Sequence, residues 1–155
     1  MAIEEGGRSD PRLAALLPAF QQLVEAASSA STAARAPYSR YPVGAAVLDE
    51  VGRTSVGCNV ESAAFGATIC AERVALGAAV AAGAGAIVAC VTVARDGSPA
   101  SCCGVCRQLL AEFGPEVLVV NASLASDRVR WGRAADWLPF GFTGASLEGP
   151  GSATS

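Results

Sequence analysis

The pattern of apolar and polar positions predicts an amphipathic helix near the start of the chain. Asp10 and Pro11 supply a helix cap and a first-turn proline. Leucine, phenylalanine and valine side chains then recur at helical spacing from Leu13 to Val24. Because proline disrupts the interior of a helix, we expect Pro18 to kink or restart this one.

After this helix the periodicity changes repeatedly between that of a strand and that of a helix. In chain order, the pattern predicts a hairpin of strands 43–48 and 54–59, a helix 70–82, a strand 87–94, a helix 104–113, strands 117–121 and 128–131, and a short helix 134–138. This order predicts an α/β fold, a three-layer α/β/α sandwich with a mixed five-stranded sheet.

The span 74–94 contains no charged residue and is long enough to cross a membrane. Glycines interrupt it, however, and its second half is a β-branched run typical of a buried strand. We therefore expect a helix, a glycine turn and a core strand, with no membrane contact. Residues 1–10 are acidic and polar and do not resemble a secretory signal, which predicts a cytoplasmic location.

The composition limits the chemistry available to the chain. Its 155 residues are enough for one domain, predicted over 1–148, followed by a disordered tail over 149–155. There is no histidine, and all eleven basic residues are arginine, which excludes Ser-His-Asp catalysis, histidine-ligated zinc and Schiff-base chemistry. The net charge of −3 argues against nucleic acid as a partner and favours a small neutral ligand.

The six cysteines indicate metal binding, because a cytoplasmic chain keeps its thiols reduced. Cys103 and Cys106 form a C-x-x-C pair where a polar loop meets a predicted helix. Such a pair alone is compatible with a redox site or half of a zinc site, but the order of elements does not match a thioredoxin-like fold. Cys70 also opens a predicted helix, so three thiolates could converge on one metal ion.

Three protein ligands leave the fourth position of tetrahedral zinc open, as in catalytic sites. Glu72, two residues from Cys70, is then placed to act as general acid and base. Arg73, and with it Arg107, could donate hydrogen bonds to the sulfurs. The alternative is a closed structural zinc site in a binding module, with Cys102 as a fourth ligand.

These residues resemble the small homotetrameric cytidine deaminases. The likeness covers nearly the whole chain, and its motifs stand in the family's order. They are Pro37-Tyr38-Ser39-Arg40-Tyr41-Pro42-Val43-Gly44-Ala45-Ala46, Gly57-Cys58-Asn59-Val60-Glu61, Cys70-Ala71-Glu72-Arg73, Cys103-Gly104-Val105-Cys106-Arg107-Gln108 and Leu138-Pro139.

The resemblance implies a zinc-dependent deaminase of cytidine and 2′-deoxycytidine in pyrimidine salvage, with one Zn²⁺ per subunit and shared active sites in a homotetramer. It implies that Asn59 and Glu61 bind the ribose 3′-hydroxyl, that Tyr41 packs against the pyrimidine and that Phe142 reaches a neighbouring subunit's site. Glu72 would carry a proton from the attacking water to N3 and then protonate the departing ammonia.

The chain departs from the family pattern at several positions. Cys102 stands where a proline normally precedes the cysteine pair, Ser62 replaces an asparagine and Phe65 replaces a tyrosine. A competing hypothesis is a deaminase of a modified nucleoside such as blasticidin S, against which the ribose-binding Glu61 speaks. Cys58 and Cys90 fall in predicted strands and are expected to be buried apolar thiols.

Overall fold

The computed structural model describes residues 2–147, so the predicted tail 149–155 lies outside the described residues. The strands are β1 (Glu4–Gly7), β2 (Val43–Asp49), β3 (Thr54–Cys58), β4 (Ile87–Ala94), β5 (Leu118–Ser123) and β6 (Arg128–Arg133). The helices are α1 (Pro11–Leu16), α2 (Phe20–Ser31), α3 (Ala71–Ala81), α4 (Gly104–Phe113) and α5 (Ala134–Trp137), with 3₁₀ turns at Phe65–Ala67 and Gly144–Leu147.

The strands form one mixed sheet in the order β1-β6-β5-β4-β2-β3. Strands β4 and β5 run parallel, and all other neighbours run antiparallel. The predicted α/β class and mixed sheet are confirmed, but the predicted count of five strands is wrong by one. The additional strand is β1, whose polar sequence lacks a strand pattern and which is ordered by pairing with the edge of β6.

Helices cover both faces of the sheet, which confirms the three-layer prediction. Alternate residues of β4 enter the two cores, with Val91 on one side and Cys90 on the other. The first core packs against α1 and α2, and the second against α3, α4 and α5. Burial on both faces explains why β4 is a continuous apolar run rather than an alternating one.

The uncharged span 74–94 contains most of α3, a turn and β4, as its glycines indicated. Within residues 2–147, no helix has the length and hydropathy to span a membrane. The first predicted helix is divided into α1 and α2 on either side of Pro18, as expected.

Gly57 sets the distance between β3 and α3. A Cβ atom at this position would lie 2.6 Å from the carbonyl oxygen of Ala71, closer than non-bonded atoms approach. The missing side chain therefore lets the first turn of α3 pack directly on the sheet, and this turn carries Glu72.

Candidate active site

Three cysteine thiols converge between the first turns of α3 and α4. Cys70 directly precedes α3, Cys103 directly precedes α4, and Cys106 lies in the first turn of α4. The Sγ atoms of Cys70 and Cys103 are 3.6 Å apart, and those of Cys103 and Cys106 are 3.5 Å apart. Tetrahedral zinc with Zn–S bonds of about 2.3 Å places its sulfurs about 3.8 Å apart. The donor set therefore fits one zinc ion.

The cluster also leaves room for a fourth ligand. Its three sulfurs all lie within 4.8 Å of one another, and among the described residues no further Cys, Asp or Glu side chain joins them. A site with three protein ligands is the arrangement of catalytic rather than structural zinc.

Charge favours thiolate at this position. Each helix N-terminus carries roughly half a positive elementary charge, and those of α3 and α4 adjoin Cys70 and Cys103. The pKa of Cys70 is lowered to about 6, chiefly by a hydrogen bond from Cys106 and to a smaller extent by the charge of Arg73. The pKa of Cys106 is raised, because it retains the shared proton and is buried. The thiols therefore supply a thiolate ligand near neutral pH.

A cleft of about 360 Å³ opens beside the thiols and brings together most of the predicted site. Six of the predicted residues line it: Tyr41, Asn59, Glu61, Cys70, Glu72 and Cys103. Cys106 is fully buried behind them. Glu72 is only 3% exposed although it is the second residue of α3, where a carboxylate usually faces solvent. Its burial at the cleft next to the metal ligands suits a group that handles protons.

Asn59 and Glu61 are held by the backbone of the segment that leads into β2. The Asn59 Oδ1 atom accepts from the N–H of Val43 at 2.9 Å, and its Nδ2 atom donates to the carbonyl oxygen of Tyr41 at 3.0 Å. The Glu61 Oε2 atom accepts from the N–H groups of Tyr38 at 2.9 Å and Ser39 at 3.2 Å. Both side chains are thus fixed before a ligand binds.

These hydrogen bonds also control the charge of Glu61. The pKa of its carboxyl group is lowered from 4.5, chiefly by a hydrogen bond from the Ser39 side chain and also by the backbone N–H groups of Tyr38 and Ser39. The cleft therefore presents an ionised carboxylate at neutral pH, which is the stronger acceptor for a hydroxyl group.

The two predicted aromatic residues have different positions. The Tyr41 ring lines the cleft, and its hydroxyl donates to Asp96 Oδ2 at 3.3 Å. Burial and the charge of Asp96 raise the pKa of Tyr41. Phe142 does not line the cleft of its own chain. It is 58% exposed beside α4, where its carbonyl oxygen accepts from Gln108 Nε2 at 2.7 Å.

The arginines that were expected to contact the sulfurs bond to backbone carbonyl groups. Arg73 Nη2 donates to the carbonyl oxygen of Thr68 at 2.6 Å, so Arg73 acts on Cys70 through its charge. Arg107 Nε donates to the carbonyl oxygen of Cys102 at 2.8 Å, and its guanidinium stacks on Trp137 with 5.6 Å to the ring centroid.

The remaining cysteines stand apart from the metal cluster. Cys102 is 2% exposed, and its thiol donates to Asn121 Oδ1 at 3.3 Å. Burial raises the pKa of Cys102 and of Cys90, so both remain thiols. Cys58 is half-buried rather than buried, because it ends the edge strand β3.

Some cleft residues were missed by sequence reasoning. Thr92 lines the cleft, and so do Ser101, Ala100 and Thr68. Thr92 carried a detectable signal, because it is the one hydroxyl group within the apolar run of β4. The other three are small loop residues with no distinguishing pattern.

A three-thiol metal site and a buried carboxylate at one cleft of an α/β/α sandwich define a zinc-dependent hydrolase. The comparisons agree, since the family model described as "Cytidine and deoxycytidylate deaminase zinc-binding region" matches residues 19–122. The chain therefore belongs to the cytidine and deoxycytidylate deaminase family, whose cytidine deaminases are hydrolases acting on C–N bonds.

Individual relatives give the same result. The chain is 40% identical over 116 residues to the cytidine deaminase of Mycobacterium tuberculosis, which covers 75% of this chain and 84% of that protein. It is 37% identical over 127 residues to the cytidine deaminase of Halalkalibacterium halodurans, covering 82% and 96%. The crystal structure of the Burkholderia pseudomallei cytidine deaminase superposes with a TM-score of 0.75 at 42% identity, covering 79% and 98%.

Proposed function

We propose that the protein hydrolyses cytidine and 2′-deoxycytidine to uridine and 2′-deoxyuridine, with release of ammonia. One observation carries the proposal. A single cleft brings together two thiols of the metal cluster, the buried carboxylate of Glu72 and the paired Asn59 and Glu61 side chains that suit a sugar hydroxyl. A structural zinc site would have no use for Glu72, Asn59 or Glu61.

Cys70, Cys103 and Cys106 would hold the zinc ion, since the spacing of their sulfur atoms fits it and the lowered pKa of Cys70 supplies a thiolate. Zinc bound there supplies the Lewis acidity that makes water a nucleophile near neutral pH. Arg73, bonded to Thr68 beside Cys70, offsets part of the negative charge of three thiolates.

Glu72 moves the protons of the reaction. Its carboxylate takes a proton from the attacking water as the new C4–O bond forms, and delivers that proton to N3 of the ring. The second proton of the water passes through the same carboxylate to N4, the C4–N4 bond breaks, and ammonia leaves. One group can perform both transfers because the cleft holds the two nitrogen atoms close to it.

The other cleft residues select and orient the substrate. Glu61 and Asn59 bind the 3′-hydroxyl of the sugar, which ribose and deoxyribose share, so both nucleosides are substrates. The Tyr41 ring packs against the pyrimidine, whose flat face suits an aromatic side chain. The net charge of −3 is compatible with a neutral nucleoside rather than with a nucleic acid.

We propose a homotetramer with shared active sites, located in the cytoplasm and serving pyrimidine salvage, built from a single domain over 1–148. The exposed apolar side chains support association. Phe65 is 76% exposed, Val105 is 60% exposed and Phe142 is 58% exposed, and association would remove their apolar surface from water. Phe142, outside its own cleft, is the residue that would reach the cleft of a neighbour.

A deaminase of a modified nucleoside such as blasticidin S remains the second candidate. Retention of an oriented, ionised Glu61 favours ordinary ribosides. Parallel turnover measurements with cytidine and blasticidin S separate the two, and a strong preference for the antibiotic would refute our assignment.

Replacing Glu72 with Gln tests the proposed function directly. Glutamine has the same shape but cannot carry protons, so we expect turnover to fall at least about a hundredfold. Zinc content and the circular dichroism spectrum should not change, because Glu72 is not in the metal cluster. Glu25→Gln, an equivalent change at an exposed position of α2, should keep full activity. Unchanged turnover in Glu72→Gln would contradict the enzyme mechanism.

A further inference from the structure

Tyr41 and Asp96 form a hydrogen-bonded pair, here called the rim pair, just beyond the paired ends of β2 and β4. The antiparallel register of these strands pairs Val43 with Ala94, and two residues further it places Tyr41 opposite Asp96. Because side chains alternate between the faces of a sheet, both point to the face on which Thr92 lines the cleft. The side-chain hydrogen bond of 3.3 Å thus extends the strand pairing past the backbone ladder.

Asp96 also begins a loop that forms part of the cleft wall, through Ala100 and Ser101. Side chains of β5, β6 and the turn between them hold the far side of this loop. Ser123 Oγ donates to the carbonyl oxygen of Asp96, Ser126 Oγ donates to that of Gly97 at 3.1 Å, Arg128 Nη1 donates to Ser98 Oγ at 3.1 Å, and Arg130 Nη1 donates to Ser101 Oγ at 3.3 Å.

Two of the side chains that hold the loop, those of Arg128 and Arg130, are themselves fixed by the N-terminal strand β1. Glu5 of β1 forms ion pairs with both Arg128 and Arg130. On the near side, among the described residues, the rim pair supplies the side-chain hydrogen bond between the loop and the segment that leads into β2. The rim pair therefore ties the near end of this loop to the Tyr41 ring, in addition to the hydrogen bonds that hold its far side.

We propose that the rim pair positions the cleft for substrate. Asp96 holds the Tyr41 ring in one orientation against the base and, together with the anchors on the far side of the loop, keeps Ala100 and Ser101 at the cleft. The inference rests on the proposed function, because it assigns the Tyr41 ring to the pyrimidine. Asp96 is a positioning residue that acts through Tyr41.

The expected signature is a change in KM without a change in kcat. An unfixed ring and loop must be ordered when the nucleoside binds, and that loss of entropy weakens binding. The rim pair bonds to neither Glu72 nor the thiols, so the chemical step should proceed at its normal rate once the substrate is bound.

The test uses Tyr41→Phe, Asp96→Ala and the double variant in the zinc-loaded protein with cytidine. Each single variant should raise KM about three- to tenfold and leave kcat within about twofold. The double variant should be no worse than the poorer single variant, because both remove the same bond. Asp96→Asn keeps an acceptor oxygen, so its KM should lie within about twofold of the wild-type value. Glu25→Ala, an exposed carboxylate deletion on α2, should have no effect.

Three results would overturn the proposal. They are KM effects that multiply in the double variant, a wild-type KM in either single variant, and a loss confined to kcat.

Hydrogen exchange without substrate gives a second measurement that does not depend on deamination. The amides of residues 96–98, 100 and 101 should exchange faster in Tyr41→Phe and Asp96→Ala than in the wild-type protein or Glu25→Ala. Unchanged exchange would refute the positioning role. If the wild-type protein fails to convert cytidine, the proposed function fails, while the exchange result still decides whether the rim pair orders the loop.

Discussion

Replacing Glu61 with Gln should weaken recognition of the sugar in a manner that the structure specifies. The Glu61 Oε2 atom accepts two backbone N–H groups, from Tyr38 and Ser39. A glutamine must use its only side-chain oxygen for these donors, so its NH₂ group faces the sugar and can no longer accept from the 3′-hydroxyl. The lost bond is charge-assisted and is worth about 1.5–3 kcal/mol, or a tenfold to hundredfold decrease in kcat/KM for cytidine.

Steady-state kinetics with two substrates measure this effect. Against 3′-deoxycytidine, which lacks the hydroxyl group, Glu61→Gln and the wild-type protein should have kcat/KM values within about threefold of each other. Glu112→Gln serves as the matched control outside the cleft and should behave as wild type on both substrates. An equal loss on cytidine and 3′-deoxycytidine would show that Glu61 does not bind the 3′-hydroxyl, and would refute the reasoning.

Three further predictions concern the metal site, the additional thiol and the core. Cys103→Ser should reduce bound zinc from one ion per subunit to less than about a tenth, by metal analysis after gel filtration, because serine is a poor zinc ligand; full occupancy would contradict the three-thiol site. Cys102→Ala should keep one zinc per subunit but lower the free energy of unfolding, measured in urea, by about 1–2 kcal/mol. The loss arises because the buried Asn121 oxygen no longer has its donor. Loss of zinc would instead identify Cys102 as a ligand. Leu110→Ala, at a fully buried position of α4, should cost about 2–5 kcal/mol, whereas the exposed Val51→Ala should cost under about 0.5 kcal/mol, and equal costs would contradict the assigned core.

Most elements were predictable because their residues carry local patterns. The amphipathic helices and the apolar strand β4 follow from periodicity, and the break between α1 and α2 follows from Pro18. Strand β1 was not predictable in this way. Its sequence, Glu4–Gly7, is acidic and rich in glycine, and it is ordered by pairing with β6 and by ion pairs from Glu5 to residues more than 120 positions away. Local patterns contain no information about such distant partners.

The candidate site likewise has a part that the sequence predicted and a part that it did not. The cysteine spacing and the adjacent Glu72 identified the metal cluster, because ligand chemistry restricts residue type and position. The second layer of contacts depended on exact distances between loops. The sequence did not predict that Arg107 bonds to the backbone of Cys102 rather than to a sulfur, or that Thr92 of β4 lines the cleft.

The measurement that tests the central claim most directly is the ultraviolet absorbance of cytidine mixed with the purified protein, with and without a zinc chelator. We expect conversion to uridine that stops when zinc is removed and returns when zinc is restored. A folded protein with one zinc per subunit that leaves both cytidine and 2′-deoxycytidine unchanged would contradict the proposed function.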